Sequence, residues 1–206
     1  MGVRGSTASV RAERLLMTIR PAAAAGGDDA RLAGRAAERR LMRAAQGGSS
    51  EALEALFKLH WPTAYRSAYY IVHDAAAAED IAQEAFLAAV RALDRFDARR
   101  PFAPWINRIV VNRAIDFARA RTLRREVGAE LAAPAEAPPE APRISDHLLA
   151  ALAALAPEQR AVVVLRYLLE WTPGEIARAL GLPRGTVNSR LRRALDRLAD
   201  TVEHEP

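Results

Sequence analysis

"GAELAAPAEAPPEAP", residues 128–142, carries four prolines, at positions 134, 138, 139 and 142. A proline has no amide hydrogen and its ring clashes with the preceding turn, so neither a helix nor an interior strand can run through such a stretch. The segment is instead a flexible, locally extended tether, and its glutamates, Glu130, Glu136 and Glu140, make it acidic. It divides the 206-residue chain into two parts. On both sides apolar residues recur every three or four positions and no strand-like alternation appears, so the fold class is all-α: two small helical domains joined by a Pro-rich linker.

Residues 1–34, with "PAAAAGGDD", lack sustained periodicity and are expected to form a disordered extension, with Met17 a possible later start. Helical spacing begins near Arg35 and defines a first domain over residues 35–126. "QGGSS" interrupts it, and Ser49 or Ser50 is placed to cap the next helix. "PFAPWINRIVVNRAIDFARARTLRRE" begins with prolines and continues with Ile106, Ile109, Val110, Ala114 and Phe117 at helical spacing. After the linker, residues 127–144, a second domain over residues 145–202 holds four short helical runs. Ser145 or Asp146 and Thr172 stand at cap positions, and Pro157, Pro173 and Pro183 at first-turn positions.

The last two runs form a helix-turn-helix. Ile176, Ala177 and Leu180 mark the inner side of one helix, and Val187, Leu191, Ala194, Leu195 and Leu198 that of the next. Gly181 supplies the left-handed residue of the turn and small Ala177 allows close approach. Asn188, Ser189, Arg192, Arg193 and Asp196 then face outward, with Arg184 and Thr186 at the amino end. A DNA major groove accepts such a helix, its arginines pairing with guanine edges or phosphates. Charge elsewhere alternates in blocks. Residues 101–126 carry six arginines against Asp116 and Glu126, whereas residues 49–100 are net acidic. That pattern suits a chain touching a polyanion at separated places and another partner at the acidic ones.

"LAPEQRAVVVLRYLLEWTPGEIARALGLPRGTVNSRLRRALDRL" is similar to the carboxy-terminal domain of bacterial sigma-70-type transcription initiation factors, especially the extracytoplasmic-function (ECF) group. In the first domain "AEDIAQEAF" and "PFAPWINRIVVNRAIDFAR" resemble that group's polymerase-binding and promoter-melting helices, in the same order. The resemblance implies a dissociable subunit that binds core RNA polymerase, recognises promoter DNA and promotes strand opening. It implies that Asn188, Ser189, Arg192 and Arg193 read the minus-thirty-five element as duplex, with Arg184, Thr186 and Arg190 on phosphates. The minus-ten element would be held as separated strands. One base would enter a pocket beside residues 97–102, with Phe102, Arg108, Asn112, Arg113 and Arg119 contributing, and Arg121, Arg124 and Arg125 adding cationic tracking. Trp105, spaced with Ile109, belongs to the core, and Pro104 shortens or stiffens the loop. Glu79, Asp80, Gln83 and Glu84 lie along one side of a helix, away from Ile81, Ala85 and the Leu87/Ala88 pair. They would contact the basic coiled coil of the polymerase's largest subunit. The family further implies an anti-sigma protein as partner, the more so because the chain ends shortly after its last helix. The linker would run through the polymerase cleft and RNA exit path.

Other classes find little support. There is no cysteine, which excludes disulfides, thiolate zinc sites and a cysteine nucleophile and suits a cytoplasmic protein. No GxxxxGK[ST] loop is present, and Ser189 has no base within four residues, so no catalytic residue, enzyme activity or cofactor is expected. The four histidines, His60, His73, His147 and His204, are scattered, and no metal site is expected with the acidic helix. No run is long enough for membrane insertion. The carboxy-terminal motif alone also fits a two-domain helix-turn-helix regulator that does not join core polymerase, but that reading leaves the first domain's motifs without a role.

Overall fold

The computed structural model describes Leu16, residues 28–126 and residues 145–203. The linker segment 127–144 lies outside the described residues. Helices account for every regular element among them, with no strand: α1 (Asp28–Gln46), α2 (Ser50–Val72), α3 (Ala75–Arg91), a 3₁₀ turn at Leu93–Arg95, α4 (Phe102–Glu126), α5 (Asp146–Ala153), α6 (Pro157–Tyr167), α7 (Pro173–Leu180) and α8 (Arg184–Glu203).

Side-chain caps set the helix starts. Ser49 accepts from the Ala52 amide, Asp74 from Ala77 and Ser145 from Leu148. Thr172 and Glu175 form a reciprocal capping box at α7, satisfying amides that have no partner inside the helix. α1 starts at Asp28, seven residues before the onset expected near Arg35. Its first turns are rich in good helix formers behind two aspartates that suit the positive helix end, so helix formation there needs no apolar stripe. Leu16, inside the segment expected to be disordered, is fully buried in the core. α4 starts at Phe102, so Pro104 sits in its first turn, where a missing amide costs nothing, and does not shape the loop. α8 starts one residue after Pro183.

α2 is the hub of the first domain and packs on α1, α3 and α4; in the second, α6 and α7 pack on α8. Gly181 closes α7 at φ 65°, with its amide bonded to Ala177, and turns the chain into α8. A side chain at that φ is strained by about 1–2 kcal/mol. Gly181→Val is therefore expected to lower the denaturation free energy of the second domain by that amount, measured by urea unfolding.

The two domains also pack on each other. α6 lies against α2 and α4, and α5 touches α2. Residues 67–72 of α2 and 160–165 of α6 are buried without interruption. A helix segment buried on every side needs neighbours on every side, and for both segments one of those neighbours comes from the other domain.

Candidate nucleic-acid interface

Three surfaces hold the residues singled out in the sequence. The first is α8. Val187, Leu191, Ala194 and Leu198 are buried, which leaves Arg184, Asn188, Arg192 and Arg193 exposed on the outer side. Thr186 and Ser189 are half-buried, and the Ser189 hydroxyl donates to the Thr186 carbonyl at 2.9 Å. Arg190 is turned toward the helix flank, where its charge acts on Glu158 of α6. The outer row can pair bidentately with base edges or phosphates, provided it lies in a groove.

The second surface joins α1, the loop 96–101 and α4. A cavity of about 250 Å³ opens here between Arg35, Arg39 and Glu38 of α1 and Arg99, Arg100 and Phe102 beside the loop. Both ends of the loop are pinned from α1. The Gln46 amide donates to the carbonyls of Leu93 and Phe96 at 2.9 and 2.7 Å, and Glu38 accepts from the Phe102 amide at 3.1 Å. Burial opposes ionisation of Glu38, but His60, 3.2 Å away, and the amides of Phe102 and Ala103 more than offset it and hold the carboxyl below its ordinary value. Within the loop Asp97 is clamped by the Arg99 side chain and amide, which bring its carboxyl down to about 2. Phe102 is 4 % exposed, walling the cavity while packing on His60, Phe96 and Trp105. Trp105 packs against the core, with its ring 4.5 Å from that of Phe96.

Along α4, Arg108, Asn112, Asp116 and Arg119 succeed one another at helical spacing on the outer side. Arg108 is exposed, and Arg119 bonds Glu158 and lies 3.8 Å from Asp116. Arg113 turns the other way and bonds Glu84 of α3. Arg121, expected to track a strand, is buried, bonded to the Val72 carbonyl and 3.4 Å from Asp74. It braces the end of α2 and is not available to DNA. Arg124 lies over the Phe117 ring.

The third surface is the outer side of α3. Glu79, Asp80, Gln83 and Glu84 are all exposed, with Gln83 bonded to Glu79 at 3.2 Å. Leu87, assigned to the inner side in the sequence, is 55 % exposed and continues the acidic row, because it stands three residues after Glu84. Val90 and Phe57 are exposed beside it, Phe57 against the Phe86 ring.

The arginines at 35, 39, 99 and 100 were not singled out from the sequence. Arg35 and Arg39 are four apart on one helix, a spacing that puts both on one face, but only the fold brings that face to the loop. Among the described residues no group of three or more metal-ligating side chains occurs, and no helix is long and apolar enough to cross a membrane.

Two parts of the chain match known families. Residues 56–124 match the family model for sigma-70 region 2, and residues 145–198 that for sigma-70 region 4. The chain is 32% identical over 162 residues to the RNA polymerase sigma factor CarQ of Myxococcus xanthus, covering 75% of this chain and 91% of that one. It is 35% identical over 157 residues to the ECF RNA polymerase sigma factor SigL of Mycobacterium tuberculosis, covering 73% and 89%. The solved structure of CnrH, in complex with the cytosolic domain of CnrY, superposes with a TM-score of 0.63 at 27% identity, covering 82% of this chain and 99% of that one. With both regions present in order and nearly the full length of curated relatives spanned, the chain belongs to the sigma-70 family of RNA polymerase sigma factors, in its ECF group.

Proposed function

We propose that this chain is an ECF sigma factor in action as well as in descent: a cytoplasmic subunit with no reaction of its own, which joins core RNA polymerase, takes it to promoters and helps open the DNA. The observation that carries the reading is the α8 face, apolar inward and arginine-rich outward after a tight turn. In this reading residues 145–202 bind the minus-thirty-five element, with Asn188, Arg192 and Arg193 on base edges and Arg184, Thr186, Ser189 and Arg190 steadying the helix on the backbone. Phosphate contacts add affinity and base contacts add preference.

Residues 35–126 hold the minus-ten element. Extruding a base from its stack costs a few kcal/mol, and a pocket plus cationic backbone tracking repays it. The cavity beside residues 97–102 is that pocket, with Phe102 as its wall and Arg35, Arg39, Arg99 and Arg100 as its rim. Arg108, Asn112 and Arg119 lead the strand along α4, and Arg113 supports them through Glu84. The α3 ridge of Glu79, Asp80, Gln83 and Glu84, with Leu87 and Val90 as its apolar part, docks on the polymerase. An apolar centre beside charged groups is what a protein interface requires. A protein inhibitor is a further partner, supported by CnrH having been solved with the cytosolic domain of CnrY.

Transcription of genomic fragments by purified core enzyme, with and without this chain, tests the reading. Discrete start sites that depend on the chain are expected. A chain that binds DNA yet forms no stoichiometric complex with core would instead be a stand-alone regulator. Asp80→Ala is expected to weaken core binding about tenfold, as loss of one interfacial charge does, without changing affinity for minus-thirty-five duplex, both measured by fluorescence anisotropy.

A further inference from the structure

The cavity beside residues 97–102 sets one carboxylate behind a rim of arginines. Arg35, Arg39, Arg99 and Arg100 are exposed around it, and the buried side chains of Met42 and Phe102 give it apolar walls. Glu38 is the sole acidic side chain among its lining residues, and only 15 % of that side chain is exposed. Its neighbours fix it in place. The Phe102 amide donates to Oε1 at 3.1 Å, the Ala103 amide also acts on the carboxylate, and the buried His60 ring places Nε2 3.2 Å from Oε1. Those two amides belong to the first turn of α4, where backbone donors have no partner inside the helix. Glu38 thus caps α4 from a different helix.

A carboxylate has more capacity than a cap uses. Ionised, it offers about four acceptor sites and no donor. The two amides and His60 take at most three of them, which leaves an acceptor on a group that lines the cavity. A base entering this space presents a face and an edge. Phe102 gives the face an apolar wall to lie against, and the edge is read by hydrogen bonds. Cytosine, adenine and guanine each carry an exocyclic amino group on that edge, whereas thymine carries carbonyls there. Its one N–H stands between two of them, so a carboxylate that reaches it also meets a carbonyl oxygen, lone pair against lone pair.

We infer that Glu38 sets the base specificity of this cavity: it accepts from the exocyclic amino group of the extruded base, and so admits cytosine, adenine or guanine and rejects thymine. This rests on the sigma-factor reading, in which the cavity is the pocket for that base. Were the rim arginines to read the edge instead, the order would reverse for thymine, whose O4 is an acceptor. The carboxylate is the better reader because its neighbours hold it and little of it meets water, and a hydrogen bond to a charge counts most in such surroundings. The arginines are exposed and suit the phosphates on either side of the nucleotide, contacts that carry no sequence preference.

The test uses core polymerase reconstituted with the full chain and single-stranded non-template oligonucleotides from a promoter that the chain directs. One position at a time, the amino group is deleted by replacing adenine with purine, guanine with hypoxanthine or cytosine with uracil, and affinity is read by fluorescence anisotropy. At one position of the minus-ten element the deletion is expected to weaken binding about tenfold, the scale of one hydrogen bond to a charged group. Glu38→Gln keeps an acceptor for the Phe102 amide and adds a donor that suits a carbonyl, so it should bring that ratio close to unity. Glu38→Asp, which keeps the charge and shortens its reach, should lower the ratio as well. Arg39→Ala should weaken all probes alike and leave the ratio unchanged. No sensitive position with the unsubstituted chain, or the same ratio in both Glu38 variants, would overturn base reading by Glu38 and leave it a cap of α4, with promoter-dependent transcription intact. Absence of that transcription would remove the sigma-factor reading and this inference with it.

Discussion

Arg192→Ala is expected to lower transcription from promoters bearing a minus-thirty-five element by about tenfold to a hundredfold, the range set by one bidentate base contact. Arg192 is exposed on the outer side of α8, one residue beyond buried Leu191, so the substitution removes a contact without opening the core. Core affinity should be unchanged, because the acidic ridge on α3 is in the other domain. Arg192→Lys should recover only part of the loss, since an ammonium cannot grip two acceptors in one plane. The measurement is run-off transcription on paired templates with and without the upstream element. An equal loss on both templates would move Arg192 from base recognition to general phosphate binding.

Ile176→Ala is expected to have the largest effect on stability. Ile176 is fully buried in α7, between the capping box and the Gly181 turn. Truncating such a side chain costs about 2–5 kcal/mol through lost burial and the cavity left behind. In a domain this small that is a large share of the total, and its melting transition should fall by roughly 10 °C or more. Ile176→Val should cost about 0.5–1.5 kcal/mol. The alanine variant should still bind core polymerase through α3 while losing use of the upstream element. Calorimetry on the full chain checks the first expectation, and a pull-down with core enzyme the second. A concerted loss of both domains in one transition would mean that the α6 contact couples their folding.

The helices themselves were legible because their signals are local. Thr172 announces a helix cap, Gly181 a turn, and the spacing of Val187, Leu191, Ala194 and Leu198 an inner face. The outer arginines of α8 follow from the same periodicity. In α4 the same periodicity decides less, because a helix with arginines on several sides does not say which of them are exposed. Arg108 and Arg119 are outside, whereas Arg113 turns to Glu84 and Arg121 is buried at the end of α2. Periodicity places a residue on a side of its own helix, not against a neighbour. Leu87 shows the converse: its apolar type argued for the interior, and its position, three residues after Glu84, put it on the surface.

The sequence by itself determined the helices on either side of the Pro-rich segment, the helix-turn-helix and the acidic ridge, because caps, turns and apolar spacing act over a few residues. Only the tertiary structure decided that Arg35 and Arg39 face the loop of Arg99 and Arg100, and that Arg160 of α6 bonds the Ile71 carbonyl of α2. The physical reason is that a buried guanidinium is satisfied by carbonyls that every residue carries, so its partners, the backbone oxygens of Ile71, Leu152, Ala153 and Leu155, leave no mark in the order of side chains.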